Sequence, residues 1–180
     1  MRLRVIAGEY GGRVLKTPDG FVTHPMGERP KGALFNKLGD MTGLTVLDPF
    51  AGSGALSIEA LSRGAGSAVA IERDKQAQDV ILENMQSFGI DERMTLVRSN
   101  CRLWSEQNSD LQFDLVLIDP PYNDFKLSTV NMLVKHIHDG GRMVLSHSGR
   151  GPEPTVNGVV VVDKSKYGDA ALTFYRKEAA

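Results

Sequence analysis

Residues 44–63 read LTVLDPFAGSGALSIEALSR, and the order of features within them decides the fold. Leu44–Asp48 is a short apolar run closed by an acid, the pattern of a strand buried on both faces. Ala51–Gly54 is glycine-rich, as a tight turn requires, and Ala55–Arg63 places Leu56, Ala60 and Leu61 on one face of a helix. Strand, turn and helix in that order open a parallel sheet flanked by helices.

The alternation continues on the C-terminal side. Ala68–Glu72 is a second buried strand ending in an acid, and Lys75–Phe88 an amphipathic helix. Met94–Arg98, Phe113–Asp119 and Gly141–Ser146 complete five strands, with helices expected over 100–107 and 126–138. Val156–Val162 and Ala170–Tyr175 then follow with no helix between them, joined around Tyr167-Gly168-Asp169. They predict a terminal hairpin whose last strand runs antiparallel to its neighbour. On the N-terminal side, residues 3–7 and 13–17 flank Gly8, Gly11 and Gly12 as a two-stranded hairpin. Residues 18–30 are turn-rich, and a short helix is expected over Lys31–Leu38. The fold class is α/β, a seven-stranded, mostly parallel sheet with an antiparallel terminal hairpin, preceded by a small N-terminal hairpin and helix. Residues 1–40 read as a basic arm and 41–180 as the catalytic domain.

The bulk numbers agree with one domain. The chain has 180 residues and 41% hydrophobic content, enough for a full α/β core and too much for a disordered chain. The single cysteine, Cys101, leaves no disulfide framework and suits a reducing compartment. No run approaches the ~20 apolar residues of a membrane span, and Met1–Gly8 lacks the apolar stretch of a secretory signal. A cytoplasmic protein without a membrane partner, acting as a monomer, is expected.

Net charge is −1, but it is unevenly spread. Residues 1–37 hold seven Lys/Arg against three acids, +4, and the remaining 14 bases and 19 acids leave −5. A basic arm that contacts nucleic acid would show this asymmetry, and so would a solvated hairpin with no partner. Arg4, Arg13, Arg29 and Lys31 are the candidate phosphate contacts.

In open sheets of this kind, ligands bind beyond the carboxyl ends of the strands, where Asp48, Glu72, Asn100 and Asp119 all fall. Asp48-Pro49-Phe50-Ala51-Gly52-Ser53-Gly54 is not the G-x-G-x-x-G loop that seats a diphosphate. An aspartate at the strand end repels a phosphate and welcomes an ammonium group. S-adenosylmethionine, with an ammonium, a sulfonium and no phosphate, suits such a loop. Asp48 would hold the ammonium, Gly52 and Gly54 let backbone approach, and Phe50 and Ala51 lie between them. Glu72, with Arg73 beside it, is placed to accept the ribose hydroxyls of an adenosine. Asn100 could bond the adenine amine, with Cys101 near the ring or simply in the core.

Asp119-Pro120-Pro121-Tyr122 follows the strand Leu115–Ile118 directly. Two prolines remove two amide donors and stiffen the chain, so its carbonyls stand at fixed angles. The exocyclic amine of a base has two N–H donors and a poorly nucleophilic lone pair. Asp119 and the Pro120 carbonyl can accept those hydrogens and turn the lone pair toward a methyl donor, which is catalysis by positioning and charge stabilisation. Tyr122 offers a face on which an extruded base stacks, for about 1–3 kcal/mol. Methylation at pyrimidine C5 needs a cysteine nucleophile, and Cys101 lies after the wrong strand. His24, His136, His138 and His147 are scattered, and no metal site is expected.

These motifs resemble the Rossmann-like class I S-adenosylmethionine-dependent methyltransferases, and within them the RsmD-type small-subunit (16S) ribosomal RNA guanine-N2 methyltransferases. Arg4-Val5-Ile6-Ala7-Gly8 with Gly12-Arg13-Val14-Leu15 is similar to that family's opening hairpin, and Ala33-Leu34-Phe35-Asn36 to its first helix. Asp48–Gly54, Leu61-Ser62-Arg63-Gly64-Ala65, Asp119–Tyr122 and Lys166-Tyr167-Gly168-Asp169 follow in family order. The chain departs from the family over His24–Gly32, and Asn100 stands where an aspartate is usual. The resemblance implies methyl transfer to guanine N2 in ribosomal RNA, free or in the small subunit. Adenine-N6 methylation, which the same four-residue motif serves, and a non-catalytic ribosome-assembly factor are the alternatives, with a nicotinamide oxidoreductase more distant.

Overall fold

The computed structural model describes residues 2–20 and 25–179, so His24 lies outside the described residues. β3 (Thr45–Asp48), α2 (Ala55–Ser62) and β4 (Ser67–Glu72) form the unit anticipated from residues 44–63, ahead of α3 (Lys75–Phe88). They are preceded by β1 (Leu3–Arg4), β2 (Val14–Leu15) and α1 (Glu28–Leu38). β5 (Met94–Arg98), α4 (Cys101–Gln107), β6 (Phe113–Ile118), α5 (Leu127–Leu133), β7 (Ile137–His147), β8 (Val159–Tyr167) and β9 (Ala170–Lys177) complete the chain. The seven-stranded sheet has the order β5-β4-β3-β6-β7-β9-β8. β9, antiparallel to both neighbours, is inserted between β7 and β8, so the last strand in sequence is not the edge of the sheet.

One face of the sheet packs under α1, α2 and α3 around Phe35, Ile58 and Ile81, the other under α4 and α5 around Trp104, Val130 and Leu133. The order reverses between β3 and β6, so the crevice opens above Asp48 and Asp119.

Several boundaries differ from expectation. The helix expected over 126–138 ends at Leu133, passes through a 3-10 turn (Val134–His136), and becomes β7 at Ile137. His136 is fully buried there, its ring nitrogens 2.7 Å from Ser105 Oγ and from the Leu111 carbonyl, which pins the turn against α4. β8 begins at Val159, because Val156 is buried from a loop before the strand starts. α1 begins at Glu28, with Pro30 in its first turn, where a missing N–H costs no helical bond.

The opening hairpin is shorter than expected, two residues paired with two, and holds on by other means. The Ile6 and Ala7 amides donate to the buried Glu59 carboxylate of α2 at 2.9 and 3.2 Å. Gly8, at φ +86°, lets the chain come so close to α2 that a Cβ would lie 1.9 Å from the Ser62 carbonyl oxygen. Leu3, Val5 and Leu15 are buried in the same core as α1 and α2.

Candidate active site

A groove of about 1390 Å³ runs along the carboxyl ends of the central strands. Among the described residues it is lined by the glycine loop, the segments after β4, β5 and β6, the turn-rich segment before α1, and the β8–β9 turn.

At one end stand the acids of β3 and β4. Asp48 ends β3 fully buried, and its Oδ2 accepts from Ser57 Oγ at 2.7 Å. Its Oδ1 is buried with no donor. Burial pushes the carboxyl up to about 7, the Ser57 hydrogen bond opposes this, and Asp119 and Glu72 add to it. A buried oxygen without a donor next to a ligand groove is a place for an ammonium. Gly52 takes φ +58°, and a Cβ built there would meet nothing within 4 Å. Its amide donates to Glu72 Oε2 at 2.7 Å while Asp74 N donates to Oε1 at 2.9 Å, so Glu72 is held in place with lone pairs to spare for hydroxyls.

Phe50, Ala51, Gly52, Glu72, Arg73, Asn100 and Cys101 all line the groove. Asp48 and Gly54 do not: Asp48 is buried just before the lining residue Pro49, and Gly54 precedes α2 at φ +83°, where an added Cβ would lie 3.1 Å from Met94 Cε, so its smallness serves packing. Asn100 also does a job that its expected role omits. Its Oδ1 caps α4 by accepting from Leu103 N at 2.8 Å, leaving one lone pair and the amide donors for a ligand. Burial raises the Cys101 thiol, which makes it a neutral wall.

At the other end, Asp119 stands half-buried after β6, its carboxyl pushed by burial up to about 6, with Ser146 opposing the shift. Pro120 and Pro121 carry the chain into a 3-10 turn (Tyr122–Asp124). The Tyr122 ring is 41% exposed on the groove, and its hydroxyl lies 2.7 Å from Ser146 Oγ, a fully buried side chain at the end of β7. Tyr122 is thus a face tethered at its far end.

The family model described as Conserved hypothetical protein 95 matches residues 3–176. The chain belongs to that family. It is the RsmD-type family that the motifs resemble. Among curated relatives, the Escherichia coli Ribosomal RNA small subunit methyltransferase D is 31% identical over 99% of this chain and 91% of its own. Bacillus subtilis YlbH, provisionally named an rRNA methyltransferase, is 31% identical over 97% and 99%. The solved structure of Escherichia coli yhhF, provisionally a methyltransferase, superposes with a TM-score of 0.89 over the whole of both chains at 29% identity. A more distant solved fold, at TM-score 0.67 and 16% identity over 82% of this chain and 48% of its own, carries SAH. This member of the Conserved hypothetical protein 95 family is a Rossmann-like methyltransferase whose cofactor is S-adenosylmethionine.

The basic residues of this family member divide. Lys31 is fully buried, its Nζ donating to the Arg4 carbonyl at 2.8 Å and lying 3.7 Å from Glu59, so it anchors the N-terminal segment and does not meet a phosphate here. Arg4 pairs with Glu28 through both nitrogens of its fork. Arg13 lies over the Phe88 ring at 4.2 Å and donates to the Ser87 carbonyl, which places it at the end of α3. Arg29 is exposed, 5.8 Å from the Tyr167 ring centroid, with no hydrogen bond or ion pair among the described residues. The groove itself is rimmed by Arg73, Arg102 and Lys126, of which only Arg73 is expected from the sequence to line a site, and that for the cofactor. Ser57 and Ser146 were likewise not anticipated: each acts through a partner distant in sequence, and a serine at a helix start or a strand end carries no signal of its own.

No cluster of His, Cys, Asp and Glu among the described residues is arranged to hold a metal, and no described helix is long and apolar enough to cross a membrane.

Proposed function

We propose that the protein methylates the N2 amine of a guanine in small-subunit ribosomal RNA. One observation carries the reading: the Asp119–Tyr122 segment lines the same groove as the ordered carboxylate of Glu72 and the loop Pro49–Ser53, which directly follows the donor-less oxygen of Asp48. The names of the curated relatives support ribosomal RNA as the substrate.

When bound, S-adenosylmethionine supplies an electrophilic methyl group on a sulfonium. Asp48 would hold its ammonium, Glu72 its hydroxyls, and Gly52 the space a side chain would fill. Asp119 and the Pro120 carbonyl accept the two hydrogens of the amine, which fixes the nitrogen and favours the positive charge that grows on it. The nitrogen sheds one proton as the product forms, and Asp119, with its carboxyl near 6, is the adjacent base that receives it before water does. Tyr122 stacks the flipped base, with Ser146 holding the ring by its hydroxyl. Arg29 and the groove-rim cations face the RNA backbone.

The experiment is nucleoside mapping of small-subunit RNA from cells lacking the protein, before and after incubation with the purified enzyme and S-adenosylmethionine. Appearance of one N2-methylguanosine is expected, and lost with Gly52→Val. N6-methyladenosine, or no modified nucleoside, would overturn the reading.

A further inference from the structure

We propose that Asp169, in the turn between β8 and β9, reads the N1–H of the target guanine and so sets guanine above adenine; this rests on the reaction proposed above. The four-residue motif cannot make that choice. Guanine and adenine both offer an exocyclic amine with two N–H donors, and Asp119 with the Pro120 carbonyl accepts either. The bases differ at the neighbouring ring position, where guanine N1 is a donor and adenine N1 an acceptor. A carboxylate accepts hydrogen bonds and donates none, so one placed beside the amine attracts guanine and opposes adenine.

The sheet register puts Asp169 on the required side. Ile118, the residue before Asp119, pairs with Leu145, and Ser146 pairs with Leu172. β7 ends at His147 opposite Ala171, while β9 and β8 continue through one more pair, Ala170 with Tyr167. The 168–169 turn therefore overhangs the sheet past the end of β7, beyond Tyr122 and away from the cofactor end at β4 and β5. Asp169 and Tyr167 line the same groove as Asp119 and Tyr122.

The other carboxylates on the groove are engaged or elsewhere. Glu72 accepts two amides, Asp74 caps α3, Asp124 pairs with Arg73 at 3.4 Å, and Asp19 faces a hollow against α3 with Gln76 and Glu83. Asp169 has no hydrogen bond or ion pair among the described residues. Its turn is braced by the half-buried Tyr167, which packs on the core under the Arg29 guanidinium. An acceptor on a braced turn that lines the groove of Asp119 and Tyr122 is the arrangement that recognition of N1–H needs.

The test uses the full-length enzyme and the RNA carrying the mapped target, with guanine or 2-aminopurine at that nucleotide. 2-Aminopurine keeps the amine and lacks N1–H. Wild type is expected to favour guanine by about tenfold or more in kcat/KM, the discrimination of one hydrogen bond to a charged group. Asp169→Ala, which removes the acceptor, should lose about that factor on guanine and none on 2-aminopurine, with the thermal shift by S-adenosylmethionine unchanged. Equal losses on both bases, or a guanine preference that survives the substitution, would overturn the inference while leaving the reaction standing. Failure of the wild-type enzyme to methylate either RNA would instead bring down the reaction, and the inference with it.

Discussion

Asp48 is a buried acid with one of its two oxygens lacking a donor, and that predicts opposite effects on stability and binding. Its folded carboxyl sits near 7 against an ordinary 3.8, so the folded chain binds the proton more tightly than the unfolded one. Stability contributed at Asp48 is therefore greatest below about pH 4 and is lost as pH rises toward 7. Asp48→Asn keeps a partner for Ser57 and removes the charge. At pH 8 it is expected to raise the melting temperature of the cofactor-free protein, by on the order of a few kcal/mol of stability, and to erase most of the rise caused by S-adenosylmethionine. Thermal melts with and without cofactor check both halves, and a destabilised variant would refute the burial argument. Asp119 gives a second pH signature. It can receive the amine's proton only when ionised, so the single-turnover rate should fall tenfold per pH unit below about 6, and Asp119→Ala should abolish that limb along with nearly all turnover while RNA affinity changes little. Tyr122→Phe keeps the stacking face and cuts the Ser146 tether, so its rate should fall severalfold, between wild type and Tyr122→Ala. Phenylalanine as inactive as alanine would mean that the hydroxyl does more than tether the ring.

Elements were legible wherever periodicity alone determines them. β3 to α3 sit within a residue or two of their expected bounds, because a buried strand, a glycine turn and an amphipathic helix each write their own pattern. The misplaced bounds of α5 and β8 come from contacts made at a distance: the buried His136 ends a helix whose apolar spacing continues into β7, and Val156 is buried without pairing. In the site, the acids at strand ends and the Asp-Pro-Pro-Tyr segment were readable from order along the chain, whereas Ser57, Ser146 and the burial of Lys31 depend on which element lies opposite. Lys31 makes the difference measurable. Lys31→Ala removes the cation beside the buried Glu59 and should cost about 3 kcal/mol or more in urea unfolding, with the salt dependence of RNA binding unchanged. Arg29→Ala should leave unfolding unchanged and lower the slope of log K against log salt by about one phosphate's worth. Exchange of those two outcomes would return Lys31 to the RNA-facing surface.

At the scale of the molecule, the surplus of positive charge in residues 1–37 is largely spent inside the fold. Arg4, Lys16, Lys31 and Lys37 are each within ion-pair distance of an acid, and Arg13 lies on an aromatic ring. The opening hairpin is accordingly a covering of the catalytic core rather than a detachable arm. Leu3, Val5 and Leu15 belong to the core cluster that also holds Leu34, Ile58 and Met94. Burial of a large apolar side chain stabilises by roughly 1.5–3 kcal/mol, so three of them amount to a sizeable share of the ~5–15 kcal/mol that holds a typical domain folded. The same segment supplies two amide donors to Glu59 and, at Lys16, two of the backbone partners of the buried Asn84, and removing it would strip each of these buried groups of two hydrogen bonds. A chain beginning at Thr17 is therefore expected to lose its cooperative melting transition and its thermal shift with S-adenosylmethionine, although no residue of the cofactor end has been touched. Circular dichroism melts with and without cofactor make the measurement. A truncated chain that melted cooperatively and still responded to cofactor, losing RNA binding alone, would show that the hairpin is an appended RNA-binding arm after all.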